Sequence, residues 1–143
     1  MSSLTVPQTT ACQFTDLKNG VWKFTFIQAN NHAVDEWFQW QSYLREAFPP
    51  PDDMRASMLL DVRKSGPIPL LYALQQGRDW RKQHPEITSI RLHLALLLKP
   101  FNRLQQPYIK LIKDGVNVFL HEQVGIEVFF DEEQKAIDWL LNA

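Results

Sequence analysis

The segment from Gly125 to Leu141 limits the fold more than any other stretch of the chain. Ile126 to Phe130 is a short run of β-branched and aromatic residues, a pattern that favours a strand. Asp131 follows at once, then Glu132 and Glu133, with Gln134 three residues on. That order reads as a helix N-cap, acids that complement the helix dipole, and a near capping box. Ala136, Ile137, Leu140 and Leu141 then share one helical face. A strand that passes directly into a capped amphipathic helix is half of a β/α unit. The preceding chain reads as earlier copies of that unit.

Gln13 to Leu17 and Val21 to Ile27 read as two strands joined at Lys18-Asn19-Gly20. Asn-Gly favours a hairpin turn because both residues tolerate positive φ. In the second strand Trp22, Phe24 and Phe26 share one face, and Val21, Lys23, Thr25 and Ile27 the other. Asn30-Asn31-His32 offers a cap for a helix in which Val34, Trp37, Phe38, Gln41, Leu44 and Phe48 repeat at helical spacing. Pro49-Pro50-Pro51 stops it. Met54 to Val62 predicts a strand, and its unalternating Met58-Leu59-Leu60 suits cover on both faces. A helix is predicted from Pro67 or Pro69 to Gln83, ended by His84-Pro85.

Ser89 to Lys99 carries the strongest strand pattern: Ile90, Leu92, Leu94, Leu96 and Leu98 on one face, Arg91, His93, Ala95 and Leu97 on the other. Leucine is a weak strand former, so a helix over Leu92 to Leu98 competes; the position between two connectors decides for a strand. Val116 to Leu120 is strand-like in composition, yet Tyr108, Leu111, Ile112, Gly115, Val116, Phe119 and Leu120 keep helical spacing. Pro107 suits a first helical position. One helix from Pro107 to His121 is therefore predicted, with Gly115 costing it about 1 kcal/mol. The expected fold class is α/β: a flexible lead-in over residues 1–10, then one domain over 11–143. That domain is an N-terminal β-hairpin followed by alternating helices and strands in a mixed, mostly parallel sheet.

The totals exclude several functions. A chain of 143 residues suits one domain and can bury a core without disulfides or metals. A formal net charge of −1 gives no electrostatic reason to expect nucleic acid. Cys12 is the sole cysteine, so an internal disulfide and a cysteine zinc cluster are both excluded. The longest apolar run lies within Leu92 to Leu98, too short to span a bilayer. Met1 to Thr10 lacks the basic and apolar segments of a signal peptide, so a cytoplasmic location is expected.

Two segments carry a family resemblance. Val128-Phe129-Phe130-Asp131-Glu132-Glu133-Gln134-Lys135-Ala136-Ile137-Asp138-Trp139-Leu140 resembles the closing strand and helix of SpoIIAA-like proteins, relatives of the STAS domain (sulfate transporter and anti-sigma-factor antagonist). Leu59-Leu60-Asp61-Val62-Arg63 resembles that group's central strand, Asp and turn. The resemblance covers Val21 to Leu141. It implies a small α/β domain with a mostly parallel sheet, no intrinsic enzymatic activity, and a role in binding a partner or small ligand. Anti-sigma-factor antagonists carry an Asp-Ser-Ser-Gly motif whose serine is phosphorylated. Only Ser65-Gly66 matches its second half here, and Arg63 and Lys64 stand before it.

Open α/β sheets bind ligands beyond the carboxyl ends of their strands. That rim should gather Asn30, Asn31 and His32; Asp61, Arg63, Lys64 and Ser65; Lys99, Asn102 and Arg103; and Asp131. Caps and solvated loops are the plainer reading of the same residues. The binding set expected from this rim is Asp61, Arg63, Lys64, Ser65, Asn31 and Lys99, centred on the turn from Asp61 to Pro67. Ser65, near a helix N-terminus beside two cations, is the expected place for an anion. Trp37, Trp40 and Tyr43 are expected to make a second, apolar contact of the kind a homodimer uses. His93 reads as a histidine packed under a helix, since His32, His84 and His121 share no ligand spacing with it. No nucleophile elbow, zinc-protease motif or glycine-rich phosphate cradle occurs.

The expected function is a non-enzymatic regulatory or scaffolding module that recognises a protein partner, with no catalytic residue, metal or cofactor. The alternative is a small carrier or sensor of an apolar, lipid-like ligand held between the sheet and the aromatic first helix.

Overall fold

The computed structural model describes residues 5–49, 53–85, 90–100, 105–119 and 124–143. Its strands pair in the order in which they are made. β1 (Cys12–Asp16), β2 (Val21–Phe26), β3 (Arg55–Asp61), β4 (Arg91–Leu98) and β5 (Val124–Phe130) form one five-stranded sheet in the order β1-β2-β3-β4-β5. β1 and β2 are antiparallel, and every later pair is parallel. Parallel neighbours need long crossovers. These are supplied by α1 (Asn31–Ala47), α2 (Leu70–Gln83) and α3 (Gln105–Phe119), and α4 (Glu133–Asn142) follows the last strand. The expected α/β class, hairpin first and mixed sheet, is observed.

Local chemistry explains most of the boundaries. At the hairpin Lys18 (φ 62°) and Gly20 (φ 93°) take the left-handed conformation, and Asn19 does not. Asn19 acts through its side chain instead, with Oδ1 accepting from the Val21 amide at 3.1 Å. Asn30 caps α1, its Oδ1 accepting from the Ala33 amide at 2.9 Å. Pro50 and Pro51 of the expected helix stop lie outside the described residues, as do Leu120 and His121 of the predicted third helix. Val116 to Phe119 belong to α3, as their spacing predicts. Gly115 lets α3 close on α2: a Cβ there would stand 2.5 Å from Leu74 Cδ1.

Leu92 to Leu98 is extended. Leu94 pairs with Met58 on one side and Ile126 on the other. A central strand with cover on both faces has leucine on both, which weakens the alternation that ordinarily marks a strand. The start of α4 departs from expectation. Glu132 is the N-cap and makes no side-chain cap bond, while Asp131 sits at φ 55°. Gln134 donates to Asp138, so no capping box forms.

The two-residue period of the strands divides the core. Phe24, Phe26, Met58, Leu60, Leu94, Leu96 and Leu98 pack with Val34, Trp37 and Leu44 of α1, Leu74 of α2 and Ile112 of α3. Val21, Leu59, Ala95 and Leu97 point the other way, onto Ala136, Ile137 and Leu140 of α4. Each such leucine contributes about 1.5–3 kcal/mol by leaving water. The edge strand β1 has a further tie. Glu36 of α1, 5% exposed, accepts from the amides of Ala11 at 2.7 Å and Cys12 at 2.9 Å. Burial, and then the nearby Glu36 charge, push the Cys12 thiol far up.

Candidate functional site

The rim at the carboxyl ends of the strands is occupied by its own charges. Asp61 ends β3 and is 6% exposed. The Arg63 guanidinium donates to Asp61 through Nε at 3.0 Å and Nη2 at 2.9 Å. It also reaches Asp131 at 3.1 Å and Glu133 at 2.8 Å. Lys23 Nζ adds a bond to Glu133 at 3.0 Å and lies 3.7 Å from Asp61. Burial would raise the Asp61 carboxyl, but hydrogen bonds from Arg63 and the charges of Arg63 and Lys23 outweigh it and hold it below the usual carboxylate range. The Arg63 guanidinium is correspondingly raised, chiefly by its bond to Asp61. The network joins β2, β3 and the start of α4, and it explains why Asp131 does not cap.

The structure therefore brings together Asp61, Arg63 and Asp131 of the expected rim, but as partners of one another. Lys64, Lys99 and Asn31 are exposed. Ser65 is half-buried, and its hydroxyl donates to the Gly66 carbonyl at 2.8 Å. It is not at a helix N-terminus, because α2 begins at Leu70 with Pro69 as N-cap. Asn102 and Arg103 lie outside the described residues.

The three aromatics of α1 separate as well. Trp37, expected on an outer contact, is 7% exposed and packs against Phe24, Phe26 and Phe38. Its position puts it on the core stripe of the helix, out of a partner's reach. Trp40 is half-buried, donating from Nε1 to Thr9 at 2.9 Å, with its ring tilted against Phe14 and edge-on to Tyr43. Tyr43 lines an open polar groove with Asp35, Glu46 and the lead-in residues Thr5 and Pro7.

The most distinctive site lies beneath α1. An apolar cavity of about 90 Å³ separates the sheet from α1, α2 and α3, bounded by Trp37, Gln41, Leu74, Trp80, Leu94 and Leu96 among others. A second, smaller space adjoins it, shares Gln41, Trp80, Arg81 and Leu92, and adds Arg45, Ala56 and Ile90. Trp37, Gln41 and Arg45 are spaced four residues apart, so they form one stripe along α1. Gln41 is 3% exposed, and neither its Nε2 nor Trp37 Nε1 has a hydrogen-bond partner among the described residues. Native structures pair nearly all buried donors, and leaving one unpaired costs about 1–3 kcal/mol. Arg45 lies over the Trp22 ring at 5.1 Å from its centroid. Desolvation, and then the charge of Arg81, lower its pKa.

On the opposite face His93 packs its ring edge-on to Trp139, under α4, with centroids 6.1 Å apart. A Cβ at Gly125 would stand 3.3 Å from the imidazole, so the glycine makes room for it. Desolvation, then the charges of Arg55 and Arg91, lower its pKa. Among the described residues no cluster of three or more His, Cys, Asp or Glu could hold a metal ion. No described helix is long and apolar enough to cross a membrane.

The sequence reading placed Gln41 on the apolar stripe of the first helix but assigned it no role. A glutamine inside such a stripe was the signal for the cavity. Glu36, which ties β1, was missed in the same way. Comparison of the chain with protein-family models, with curated proteins and with solved structures finds no match.

Proposed function

We propose that this chain is a non-enzymatic binding module whose ligand is small and largely apolar, held between the sheet and the first helix. The observation that carries the proposal is the pair of unpartnered donors, Trp37 Nε1 and Gln41 Nε2, on an otherwise apolar cavity. A ligand that covers this lining gains from leaving water and supplies the acceptors the two donors lack. The cavity is far below the roughly 300–1,000 Å³ of drug-sized pockets. It is nearer the engineered cavity of about 150 Å³ that binds benzene. The ligand is accordingly small.

Kinship with SpoIIAA-like and STAS-related proteins belongs to the same proposal. It is supported by strands laid down in sequence order, three crossover helices on one face and a closing helix on the other. Recognition of a protein partner by the turn from Asp61 to Pro67 ranks second, because Asp61 and Arg63 bind each other and leave Lys64 as that turn's exposed charge.

Titration of ¹⁵N-labelled protein with 3-methylbutan-1-ol tests the main reading. The Trp37 indole and Gln41 side-chain resonances should shift first. Ala73→Leu, which fills the lining, should abolish the shifts. Resonances that stay unmoved, or that move equally in the filled variant, would overturn it.

A further inference from the structure

We infer that the ligand is a small neutral carbonyl compound, an aldehyde, ketone or ester, its oxygen accepting from Trp37 Nε1 and Gln41 Nε2 and its alkyl groups lying against Leu74, Leu94 and Leu96. The inference rests on the cavity being a ligand site and adds the ligand's functional group.

The unpartnered atoms of this lining are both donors. Trp37 is 7% exposed and Gln41 3%, and their side-chain nitrogens have no partner among the described residues. An indole N–H and an amide NH₂ donate and do not accept. The two residues stand one turn apart on α1, about 6 Å of helix rise, so both donors belong to one wall. Among the described residues no fully buried side-chain oxygen lacks a partner. The other indole and the phenol of the lining are engaged: Trp80 Nε1 donates to the Ser42 hydroxyl at 2.8 Å, and the Tyr108 hydroxyl donates to the Ile68 carbonyl at 3.0 Å. Tyr108 belongs to α3, and α2 packs against both α3 and α1 and stands between them.

That inventory sorts the groups a ligand could bring. A carbonyl oxygen carries two lone pairs and no proton, and it accepts along both in its own plane. An alcohol carries an O–H that meets no unpartnered buried oxygen here, and an unmade bond in a dry site costs more than a made one returns. A water molecule carries two such protons and meets the same shortage. An amine would set donors against donors. An ionised carboxylate would give up its hydration to a lining made mostly of leucine, isoleucine and aromatic side chains. The neutral group that only accepts is the one that fits.

Butanone, butan-2-ol and 2-methylbut-1-ene share one skeleton and differ in a C=O, a C–OH and a C=CH₂. Titrations followed on the Leu94 and Leu96 methyl resonances test the assignment. Wild-type protein should bind butanone at least threefold more tightly than butan-2-ol. Gln41→Leu and Trp37→Phe each remove one donor, and each should lower butanone affinity relative to 2-methylbut-1-ene by about tenfold. Circular dichroism establishes that both variants are folded. In infrared spectra the carbonyl band of bound butanone should lie below its position in hexane. Butanone no tighter than butan-2-ol, a ketone-to-alkene ratio unaltered in either variant, or a carbonyl band at the hexane position overturns the carbonyl assignment. The cavity reading then stands if 3-methylbutan-1-ol still shifts the Trp37 indole. Failure of all three compounds, with 3-methylbutan-1-ol also inert, overturns both.

Discussion

The two faces of this sheet are closed by different means. On one face a single helix, α4, lies on small and branched apolar side chains and is pinned at its start by Arg63, Lys23 and three carboxylates. On the other, three helices cover a larger area and leave a space under α1 with unpartnered donors on its lining. The first arrangement pairs its charges with one another and leaves one buried ring nitrogen, His93 Nδ1, without a partner among the described residues, and the second leaves two donors so, both on the lining of a cavity.

Neighbouring leucines on β4 give the largest test of that contrast. Leu97 faces α4 and Leu96 lines the cavity. Leu97→Ala should cost about 3–5 kcal/mol in chemical denaturation, and Leu96→Ala nearer 2, within the range for buried leucines. The difference arises because Leu96 has a void on one side and fewer packed atoms to lose. Equal losses would mean that the face under α1 is as tightly packed as the other.

Next in size is the ionic pin. Arg63→Ala should cost about 1–3 kcal/mol, because it leaves the buried Asp61 carboxylate without its main donors. Amide exchange should speed up in α4 before it does in α1. Arg63→Lys should recover only part of the loss, since an ammonium cannot form the two-pronged bond to Asp61. Uniform acceleration across both faces would contradict the idea that this network holds α4 in particular.

Acid separates the faces without mutation. The Asp61 pKa is depressed on folding. Its contribution is therefore present above the unfolded value of about 3.9 and is lost as pH falls through the lower, folded value. The His93 pKa is also depressed, so the folded state favours the neutral ring. That contribution is present above about pH 6.5 and is lost as pH falls through the folded value. Both groups lie on the α4 face, and the described lining of the cavity contains no Asp, Glu or His. Stability curves should show both steps in wild type. His93→Gln should lack the upper step and Arg63→Ala should blunt the lower one. Gln41→Leu should leave both unchanged.

Gln41→Leu should have the smallest effect on the ligand-free protein. Replacing an unpartnered amide by an apolar group of similar size is close to neutral, or stabilising by up to about 1 kcal/mol. Measurable destabilisation would show that Gln41 has a partner in solution.

How much of this was legible in the sequence depended on the kind of interaction. Period-two and helical patterns gave β2, β4 and α3 because burial is a local, repeating demand. They also gave the alternation of helices and strands behind a mostly parallel sheet, while the order of the strands within it came from the structure. The rim was misjudged because position alone says where Asp61 and Arg63 stand and not what they face. Asp131 lies 68 residues from Arg63 in the chain, and only the folded sheet brings them together. The helical cap failed for the same reason: the long-range ion pair took the carboxylate that local spacing assigned to α4. Trp37 was placed on an outer contact because three aromatics on one helix widen its apolar sector in a helical projection, whichever of them faces the sheet. The cavity itself is a failure of side chains to meet, which no single-chain pattern states. The polar interruption at Gln41 was its one local trace.

A high-resolution crystal structure of the protein soaked in 3-methylbutan-1-ol tests the central claim most directly. The account predicts ordered density between Leu74 and Leu94, with the ligand's hydroxyl oxygen in hydrogen-bonding range of Gln41 Nε2 or Trp37 Nε1. An unfilled space, or Gln41 and Trp37 each bonded to protein groups with the cavity closed, would contradict it.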